Sequence, residues 1–514
     1  MEHERELVVR TAGALPVVKQ LCDRLGLVEA VDRFCAIRSV ADYSHGQVVE
    51  ALVCNRLTHP RPLSSFTDWG ERFAVAETLG IAAVKLNDDR LGRALDTVAD
   101  HLDEVLALIA RRAIERCGLE LAELHWDLTQ LAFTGDYEQQ DAAYPQVRKG
   151  RTPQRTIERQ VHAGFWVVGD GAVPLRGQGF DGNAEDRQAV EPALERLDTI
   201  RDALPRGEPP LVVGDSKLLS TANVRAFSAR GLRFLCPHAK EPALKARLAA
   251  LEEEALRPLA YAAERHRRGP PRYRVVEGRL PVAGSELRAL LVLSLDDQAA
   301  AREQRAKQLA RAEQEIAQLN RGVPRYTKEA AALERKALAK LERRGVASLL
   351  RLAIVEHAQG RPQARLQRDE HAILEAMRLD GRYCLVTNDE TLPADELFAA
   401  YKRQHLIESR FRDFKGPLAV RPVFLHSNRR IAALLAIVSL AILLYALIER
   451  EVRRGLATLG RRDQRLLAHR IGRATGRQIL DQLSDLAAVR VRDGPTRLAQ
   501  PRPVQRLLLQ LLGL

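Results

Sequence analysis

The sequence predicts an α/β protein whose core is interrupted by a mixed, largely helical insertion, with a helical N-terminal domain and a basic helical C-terminal region. Three observations lead to this prediction: strand-like and helix-like segments alternate over residues 119–240, long charged helical segments follow within 241–380, and residues 1–118 have mainly helical periodicity. A length of 514 residues suggests about three domains. The content of 46% hydrophobic and 29% charged residues is ordinary for a globular protein.

Residues 1–118 form the predicted helical N-terminal domain. Val49, Leu52, Val53 and Leu57 suit a helix that follows Ser44. The segment contains 15 basic and 18 acidic residues, so its net charge gives no electrostatic reason to expect DNA binding. A DNA-end-binding helix-turn-helix remains an alternative, although helical pairs occur in any helical domain.

Residues 119–240 are predicted to form the first part of the core. The run from Leu124 to Phe133 reads as a strand, and Val161–Val168 reads as another that ends in a hairpin turn. Leu211–Val213 is short and wholly apolar, as in strands buried on both faces. The expected order is three strands, helix, strand, helix, strand.

Residues 241–380 are predicted to be an insertion, and residues 381–455 the second part of the core. Within the insertion, Gln298–Leu319 and Thr327–Leu341 are predicted to form a helical hairpin that breaks at Gly322–Pro324. In the second part of the core, a strand is expected at Tyr383–Thr387. A helix is expected from Ala394 through Lys415.

The run Ile431–Ile448 contains eighteen residues without a charge, which meets the lower limit for a membrane span. It is rich in alanine, Glu449 and Glu451 follow at once, and the chain contains no second such run. These features favour a buried core helix, and a membrane protein remains the distant alternative.

The excess positive charge lies near the C-terminus. Residues 401–514 contain 22 basic and 8 acidic residues, whereas residues 1–400 contain 58 and 59. This asymmetry suggests a polyanionic partner, and residues 456–514 are the basic region expected to supply non-specific affinity for nucleic acid. A solvated basic tail that serves solubility explains the composition equally well.

Several function classes lack their motifs. The six cysteines are scattered with no C-x-x-C pair, so a zinc ribbon is unsupported and a reducing compartment is expected. The first residues contain no apolar segment of the secretory type. No G-x-x-x-x-G-K-[ST] motif occurs, and the G-x-G-x-x-G match at Gly177–Gly182 lacks the strand and acidic residue of a dinucleotide site.

Three acidic residues occupy positions where a carboxylate is unusual. Asp127 lies within an apolar strand, Asp215 follows a buried strand, and Glu408 lies in a helix beside Ile407. In a ribonuclease-H-like sheet the first and fourth strands are adjacent, and a later helix packs across them, so the three carboxylates would converge. Converging carboxylates repel each other unless cations intervene, so a divalent metal is implied, Mg²⁺ or its substitute Mn²⁺.

The segment around Glu408 supports this site. Tyr401, Glu408 and Lys415 are each seven residues apart and would form one helical stripe, with Arg412 beside it. Ile407, Phe411 and Phe414 form a neighbouring apolar stripe that can face the sheet. Cations next to a metal-binding carboxylate suit the passage of a phosphate backbone, whereas a surface helix with a Glu408–Arg412 ion pair is the simpler alternative.

The segment from Tyr401 to Lys415 resembles the Y-x2-R-x3-E-x6-K signature of DDE transposases of insertion sequences, the group called insertion-sequence family four. The segments His-Trp-Asp127-Leu-Thr and Val-Val-Gly-Asp215-Ser-Lys resemble the surroundings of the first and second aspartates of that family. The stretches that begin at Ser44 and Leu86 are similar to the helical domain that precedes the catalytic core in one branch of these transposases.

The resemblance implies a cytoplasmic, bacterial-type enzyme, associated with the nucleoid when bound, that cuts and rejoins the ends of its own element. Asp127, Asp215 and Glu408 would be the catalytic residues and would hold two metal ions. Tyr401, Arg403, Arg412 and Lys415 would contact DNA. The partners would be double-stranded DNA, as terminal inverted repeats and as target, and a second copy of the chain in a homodimeric synaptic complex, with no membrane.

Two features depart from the family pattern. The signature arginine would fall at Gln404, and Arg403 lies one residue early, a rotation of about 100° on a helix. The three tryptophans, Trp69, Trp126 and Trp166, all precede Asp215, so the insertion lacks the tryptophan that stacks on a flipped base in some relatives. A structure-specific nuclease of the same fold and a catalytically inactive regulator of transposition remain alternatives.

Overall fold

The computed structural model describes the chain except residues 1–6, 38, 40, 138–139, 153–155, 186, 203–206, 262–271, 327–328, 358–360, 417, 419–424, 472–473 and 492–493. It divides into two compact units. The first contains residues 1–234 and 400–514, and the second contains residues 235–399.

The helices are α1 Leu15–Leu25, α2 Leu27–Asp32, α3 His45–Thr58, α4 Phe66–Arg72, α5 Val75–Leu79, α6 Asp88–Ala99, α7 Leu102–Cys117, α8 Val190–Arg201, α9 Thr221–Ala229, α10 Pro242–Ala249, α11 Leu295–Tyr326, α12 Ala330–Arg344, α13 Glu370–Met377, α14 Ala394–Lys402, α15 His405–Lys415, α16 Asn428–Leu456, α17 Arg461–Ile471, α18 Gly476–Leu483 and α19 Pro503–Leu511. The strands are β1 Leu7–Thr11, β2 Glu123–Phe133, β3 Arg148–Arg151, β4 Ile157–Val168, β5 Pro174–Asp181, β6 Leu211–Val213, β7 Arg233–His238, β8 Arg257–Pro258, β9 Tyr273–Val282, β10 Ser285–Ser294, β11 Leu350–His357, β12 Arg361–Arg368, β13 Arg382–Thr387, β14 Ala487–Val491 and β15 Arg497–Leu498.

The N-terminal part of the first unit is helical, as the sequence predicts. Helix α3 begins at a capping box, in which the Ser44 hydroxyl accepts from Gln47 N and the Gln47 side chain accepts from Ser44 N. The strand β1 was not predicted. It pairs antiparallel with β14, with Leu7 opposite Val491, so the two ends of the chain form one small sheet.

The central sheet of the first unit contains the three predicted antiparallel strands and one parallel strand. β2 pairs antiparallel with β4, and β4 pairs antiparallel with β5. β6 pairs with the other edge of β2 in a parallel arrangement. The short β3, which the sequence did not indicate, pairs with the end of β4.

Helix α16 is the core helix that the apolar run predicts. Among the described residues it is the one helix long and apolar enough to cross a membrane, with a mean hydropathy of 2.9 in its most apolar window, and that window is entirely buried inside the protein. It packs on β5, α3 and α6. A Cβ atom at Gly177 of β5 would lie 2.6 Å from the Ser439 hydroxyl oxygen of α16, so this glycine of the G-x-G-x-x-G match is required for helix–sheet packing.

The C-terminal region is part of the first unit and not an appended tail. Its strand β14 is the partner of β1, and Ile471, Ile479, Leu483 and Leu508 are buried. Acidic residues elsewhere in the unit also neutralise part of the charge excess that begins at residue 401. Ion pairs join Arg429 to Asp100, Arg430 to Asp96, and Arg450 to Asp170.

The second unit is wider than the predicted insertion, since it spans 235–399 and not 241–380. The reason is that β13, expected in the second part of the core, pairs antiparallel with β10, with Leu385 opposite Leu290. β10 pairs in turn with β9. The helical hairpin is present as α11 and α12, but α11 extends to Tyr326, so it includes the expected break at Gly322–Pro324.

A separate apolar cluster lies within the second unit. It is formed where α11 and α12 pack on the β11–β12 hairpin, and it includes Ala312, Leu333, Ala337 and Leu341, which are fully buried. The helical hairpin of α11 and α12 therefore has its own core, as expected for a structural arm.

Candidate active site

Strands β2 and β6 place the two aspartates at the same height in the sheet. The parallel register sets His125 opposite Val213, and Asp127 and Asp215 each lie two residues further along their strands. Neighbouring strands are about 4.8 Å apart, so this register brings the two carboxylates to one end of the sheet. Asp215 lies just beyond the carboxyl end of β6, where open α/β sheets bind their ligands.

Asp127 is half-buried and lies in a negative electrostatic environment. Burial, with the charges of Asp215 and Glu408, raises the pKa of Asp127 to about 6, against a hydrogen bond from Leu128 N and the charge of Lys217. The Leu128 N–H donates to Asp127 Oδ1 at 2.8 Å. The three predicted carboxylates therefore lie close enough to act on one another.

Asp215 is held by the turn that follows β6. Its Oδ1 accepts a hydrogen bond from Lys217 N at 2.9 Å and caps the single 3₁₀ turn Ser216–Leu218. Burial raises the pKa of Asp215 as well. Sequence reasoning quoted Lys217 beside Asp215 and assigned it no role, although its ammonium group is the cation that acts on Asp127.

The helix that carries Glu408 is shorter than predicted. The expected helix from Ala394 through Lys415 is divided into α14 and α15, with a turn at Arg403 and Gln404. In this turn Arg403 N donates to Ala400 O and Gln404 N donates to Tyr401 O, both at 3.1 Å, so bonds across three residues replace the α-helical pattern. Tyr401 therefore does not continue the stripe of Glu408 and Lys415, which share α15.

The apolar stripe of α15 packs on the sheet as predicted. Ile407 and Phe414 are fully buried. The Phe414 ring meets Phe165 of β4 edge-on, with centroids 4.9 Å apart, and Phe411 lies 5.9 Å from the same ring. With this side of α15 packed on the sheet, Glu408 is exposed, and its charge acts on Asp127 of β2.

A buried ion-pair network holds α15 in place on the side that faces α16. The Arg410 guanidinium lies 3.0 Å from Glu449 of α16 and 3.0 Å from Asp413. Arg410 Nε also donates to the carbonyl of Ala172, in the turn between β4 and β5, at 2.7 Å. The predicted alternative, a Glu408–Arg412 ion pair, is not among the ion pairs that the structure describes.

Arg403, predicted to contact DNA, forms an ion pair with Glu123 of β2. The guanidinium binds the carboxylate through two nitrogens, with Nε 2.8 Å from Oε1. The buried His125 also contacts Oε1, through Nε2 at 2.7 Å. Burial would raise the pKa of Glu123, but Arg403 and His125 outweigh it and lower the pKa to about 2.

Sequence reasoning missed Glu123, although the pattern was visible. Glu123, His125 and Asp127 alternate along β2 and therefore lie on one face of the strand. Through its contact with Arg403, Glu123 joins the turn before α15 to the strand that carries the first aspartate.

The other predicted DNA-contacting residues lie around the site at different depths. Tyr401 is half-buried, and the Lys402 ammonium lies 5.8 Å from the centre of its ring. Arg412 and Lys415 are exposed on α15. Both cations therefore lie on the same helix as Glu408, as predicted.

The carboxylates fit metal ions that each use few protein ligands. No three His, Cys, Asp or Glu side chains in the described part of the chain are close enough to surround one ion together. Mg²⁺ commonly takes one or two carboxylates and completes its shell with water and substrate phosphates. Burial is the largest cause of the raised pKa of Asp127, and the charges of Asp215 and Glu408 add to it, so a divalent cation would relieve the repulsion among these carboxylates.

Two family models match the chain. The transposase DDE domain matches residues 148–444, more than half of the chain, and a domain of unknown function, DUF4277, matches residues 7–110. The first match includes Asp215 and Glu408, while Asp127 precedes it.

Among solved structures, the chain is similar to the piggyBac transposase in its cryo-EM synaptic complex with hairpin DNA, with a TM-score of 0.37 and 10% identity, over 85% of this chain and 76% of that one. A TM-score this low carries no conclusion about this chain. The search of curated proteins finds no match.

Proposed function

The chain belongs to the family of transposases with a DDE domain and is a DNA transposase, and we propose that it cuts and rejoins the ends of its own insertion sequence. The strand order supports a ribonuclease-H-like core, because β5, β4 and β2 are antiparallel neighbours and β6 joins β2 in parallel. In such a core the catalytic carboxylates come from the first strand, the end of the fourth strand and a later helix, and Asp127, Asp215 and Glu408 have this distribution.

One observation carries the proposal: the charges of Asp215, which follows β6, and of Glu408, on α15, act on Asp127 of β2. Asp127, Asp215 and Glu408 would hold Mg²⁺, or Mn²⁺ in its place. Two such ions, when bound, activate a water or a 3′-hydroxyl and stabilise the leaving oxygen of a phosphodiester. The twisted sheet and the packed α15 provide the rigid support that this chemistry requires.

The surrounding cations would position the DNA backbone. Lys217, Arg412 and Lys415 carry positive charge near the carboxylates and suit contacts with phosphate oxygens. Arg403 acts through Glu123 and is therefore a positioning residue, which sets the turn before α15 relative to β2. The partners we propose are the terminal inverted repeats, the target duplex and a second copy of the chain in the synaptic complex.

Single substitutions of the carboxylates test this proposal. Asp127→Ala, Asp215→Ala and Glu408→Ala should each lower Mg²⁺-dependent nicking of element-end DNA by about 10³-fold or more, since each removes a metal ligand. Binding of the same DNA in EDTA should change little, because these residues do not contact phosphate directly.

The matched control is Asp89→Asn, which removes one negative charge from an exposed surface pair with Arg93 and should leave nicking unchanged. Near-normal nicking by any alanine variant would remove that residue from the site. Nicking without strand transfer to a target duplex would favour a nuclease, and binding without nicking by the wild type would favour a regulator.

A further inference from the structure

A second concave site lies in the first unit, separate from the carboxylates. It is a cleft of about 510 Å³ formed by the end of α3, the end of α4, the start of α18 and the residues that follow α15. None of the residues predicted individually to hold metal or contact DNA lines it, although Arg477 belongs to the basic region 456–514. The polar and charged side chains among its described lining residues are Thr11, Arg56, Thr58, His59, Arg72, Tyr445, Arg477, Asp481 and Ser484.

The lining of the cleft is strongly basic. Three arginines and one histidine line it against one carboxylate, Asp481, whose closest approach to Arg477 is 3.8 Å. Arg72 and Arg477 are exposed at the surface, and Arg56 is buried, with 8% of its surface accessible. The N-terminal domain has no net excess of basic residues, so this cleft concentrates positive charge that its composition does not show.

The pKa of His59 reflects the positive charge around the cleft. Burial lowers the pKa of His59, and the positive charges of Arg61 and Arg72 lower it further. The ring stacks on Phe73 with centroids 5.8 Å apart, and its Nε2 is buried without a hydrogen-bond partner. A neutral, fixed imidazole beside two arginines suits an anionic ligand better than a cationic one.

The cleft adjoins the helix that carries Glu408. Gly416 and Leu418, which follow Lys415 at the end of α15, form part of its wall. Glu408 and Lys415 are seven residues apart, which is about 10 Å along a helix axis at a rise of about 1.5 Å per residue. A DNA strand at the carboxylates would therefore have its next phosphates within reach of the cleft.

We propose that this cleft binds a phosphodiester group of the DNA strand that enters the active site, through Arg72 and Arg477. This inference rests on the proposed function. It adds a second contact, which would hold the DNA strand about the length of α15 away from the carboxylates proposed to bind metal. It also gives the N-terminal domain, through the ends of α3 and α4, a direct role in holding DNA.

The test compares a cleft variant, Arg72→Gln with Arg477→Gln, with the control Arg93→Gln on the exposed face of α6. Affinity for a random duplex is measured in EDTA against salt concentration with the full-length proteins. Each phosphate contact contributes roughly 0.9 to the slope of log affinity against log salt, so the cleft variant, which loses one bound phosphate, should lose about 0.9 and the control nothing. Both arginines are exposed, and thermal unfolding checks that the variants fold as the wild type does.

A second measurement locates the contact. Single phosphates of an element-end duplex are replaced by neutral methylphosphonate, one position at a time. At one or two positions the replacement should weaken binding by the wild type about tenfold and leave binding by the cleft variant unchanged, because the contact is already absent.

An unchanged salt slope would overturn the proposal. A reduced slope with the same methylphosphonate profile as the wild type would also overturn it, because the effect would then be long-range. If the wild type fails to nick element-end DNA while both cleft results hold, the proposed function fails and the cleft stands as a DNA-binding site.

Discussion

The two sides of α15 differ in how their charges are compensated. On one side the charges of Asp215 and Glu408 act on Asp127, and none of these three is among the ion-paired residues that the structure describes. On the other side Glu449 accepts from Arg410 at 3.0 Å, from Arg453 at 2.6 Å and from Gly476 N at 2.8 Å.

This difference separates the structural charges from the functional ones. A buried carboxylate with three donors is satisfied and has no capacity left for a ligand. Burial and the charges of Asp215 and Glu408 raise the pKa of Asp127, so its ionised form is costly unless a cation compensates it, as expected of a metal site. Buried charge alone is therefore not the mark of the active site, since both sides of the helix contain it.

The largest effect should come from placing a charge without a partner in α16, the helix on the side of α15 where the buried charges are paired. Leu443 of α16 is 1% exposed, so Leu443→Arg should lower the free energy of unfolding by more than about 5 kcal/mol and give insoluble or unfolded protein. The matched variant is Leu435→Arg, since Leu435 lines a cavity of about 320 Å³ together with Asp100, Asp103 and Glu104.

Of these, Glu104 is exposed and is not in an ion pair that the structure describes, so it can pair with the new arginine, and Leu435→Arg should be clearly less destabilising in a urea titration. Equal stability of the two variants would contradict the idea that compensation decides the cost of a charge in this core.

A smaller loss should follow from breaking the network itself. Glu449→Gln leaves Arg410 with one acidic partner in place of two and should cost about 3–5 kcal/mol, as is usual when one member of a buried pair is removed. Asp89→Asn breaks the exposed pair with Arg93 and should cost less than about 1 kcal/mol. If chemical denaturation gives equal losses of unfolding free energy for the two variants, the buried network stabilises the fold no more than an exposed ion pair does.

Much of the core and of the site could be predicted from the sequence because both depend on local patterns. The alternation in β2, the short apolar β6 and the charge-free run of α16 are all visible in the chain. Asp127, Asp215 and Glu408 stood out because each carboxylate interrupts or ends an apolar segment.

Other features depend on contacts between distant segments and could not be predicted. The turn at Arg403 ends a helix whose local sequence favours continuation, and its guanidinium binds Glu123, 280 residues away in the chain. The pairing of β1 with β14 depends on the two ends of the chain. The basic cleft was hidden because composition sums charge over a domain, while binding depends on where the charges lie.

The smallest effect concerns the stability of the active site, and its sign is opposite to the others. The pKa of Asp127 in the folded protein, about 6, lies above its ordinary value of 3.8. The folded state therefore binds the proton more tightly than the unfolded chain, so the stability contributed by this group is present below pH 4, falls between pH 4 and 6, and is lost above pH 6. Asp127→Asn removes the charge, and it should raise the unfolding free energy at pH 7.5 by on the order of 1–3 kcal/mol without metal.

The same substitution should have little effect on stability near pH 4, where the wild-type carboxyl is protonated in the folded protein and about half protonated in the unfolded chain. Thermal unfolding of the two proteins in EDTA across this range measures the difference directly, because the other titrating groups are common to both. Added Mg²⁺ should then raise the melting temperature of the wild type and not that of the variant, since the ion binds only where its ligand remains. A variant that is less stable than the wild type at pH 7.5, or a difference that does not change with pH, would show that Asp127 is compensated in the folded protein and would remove the contrast between the two sides of α15.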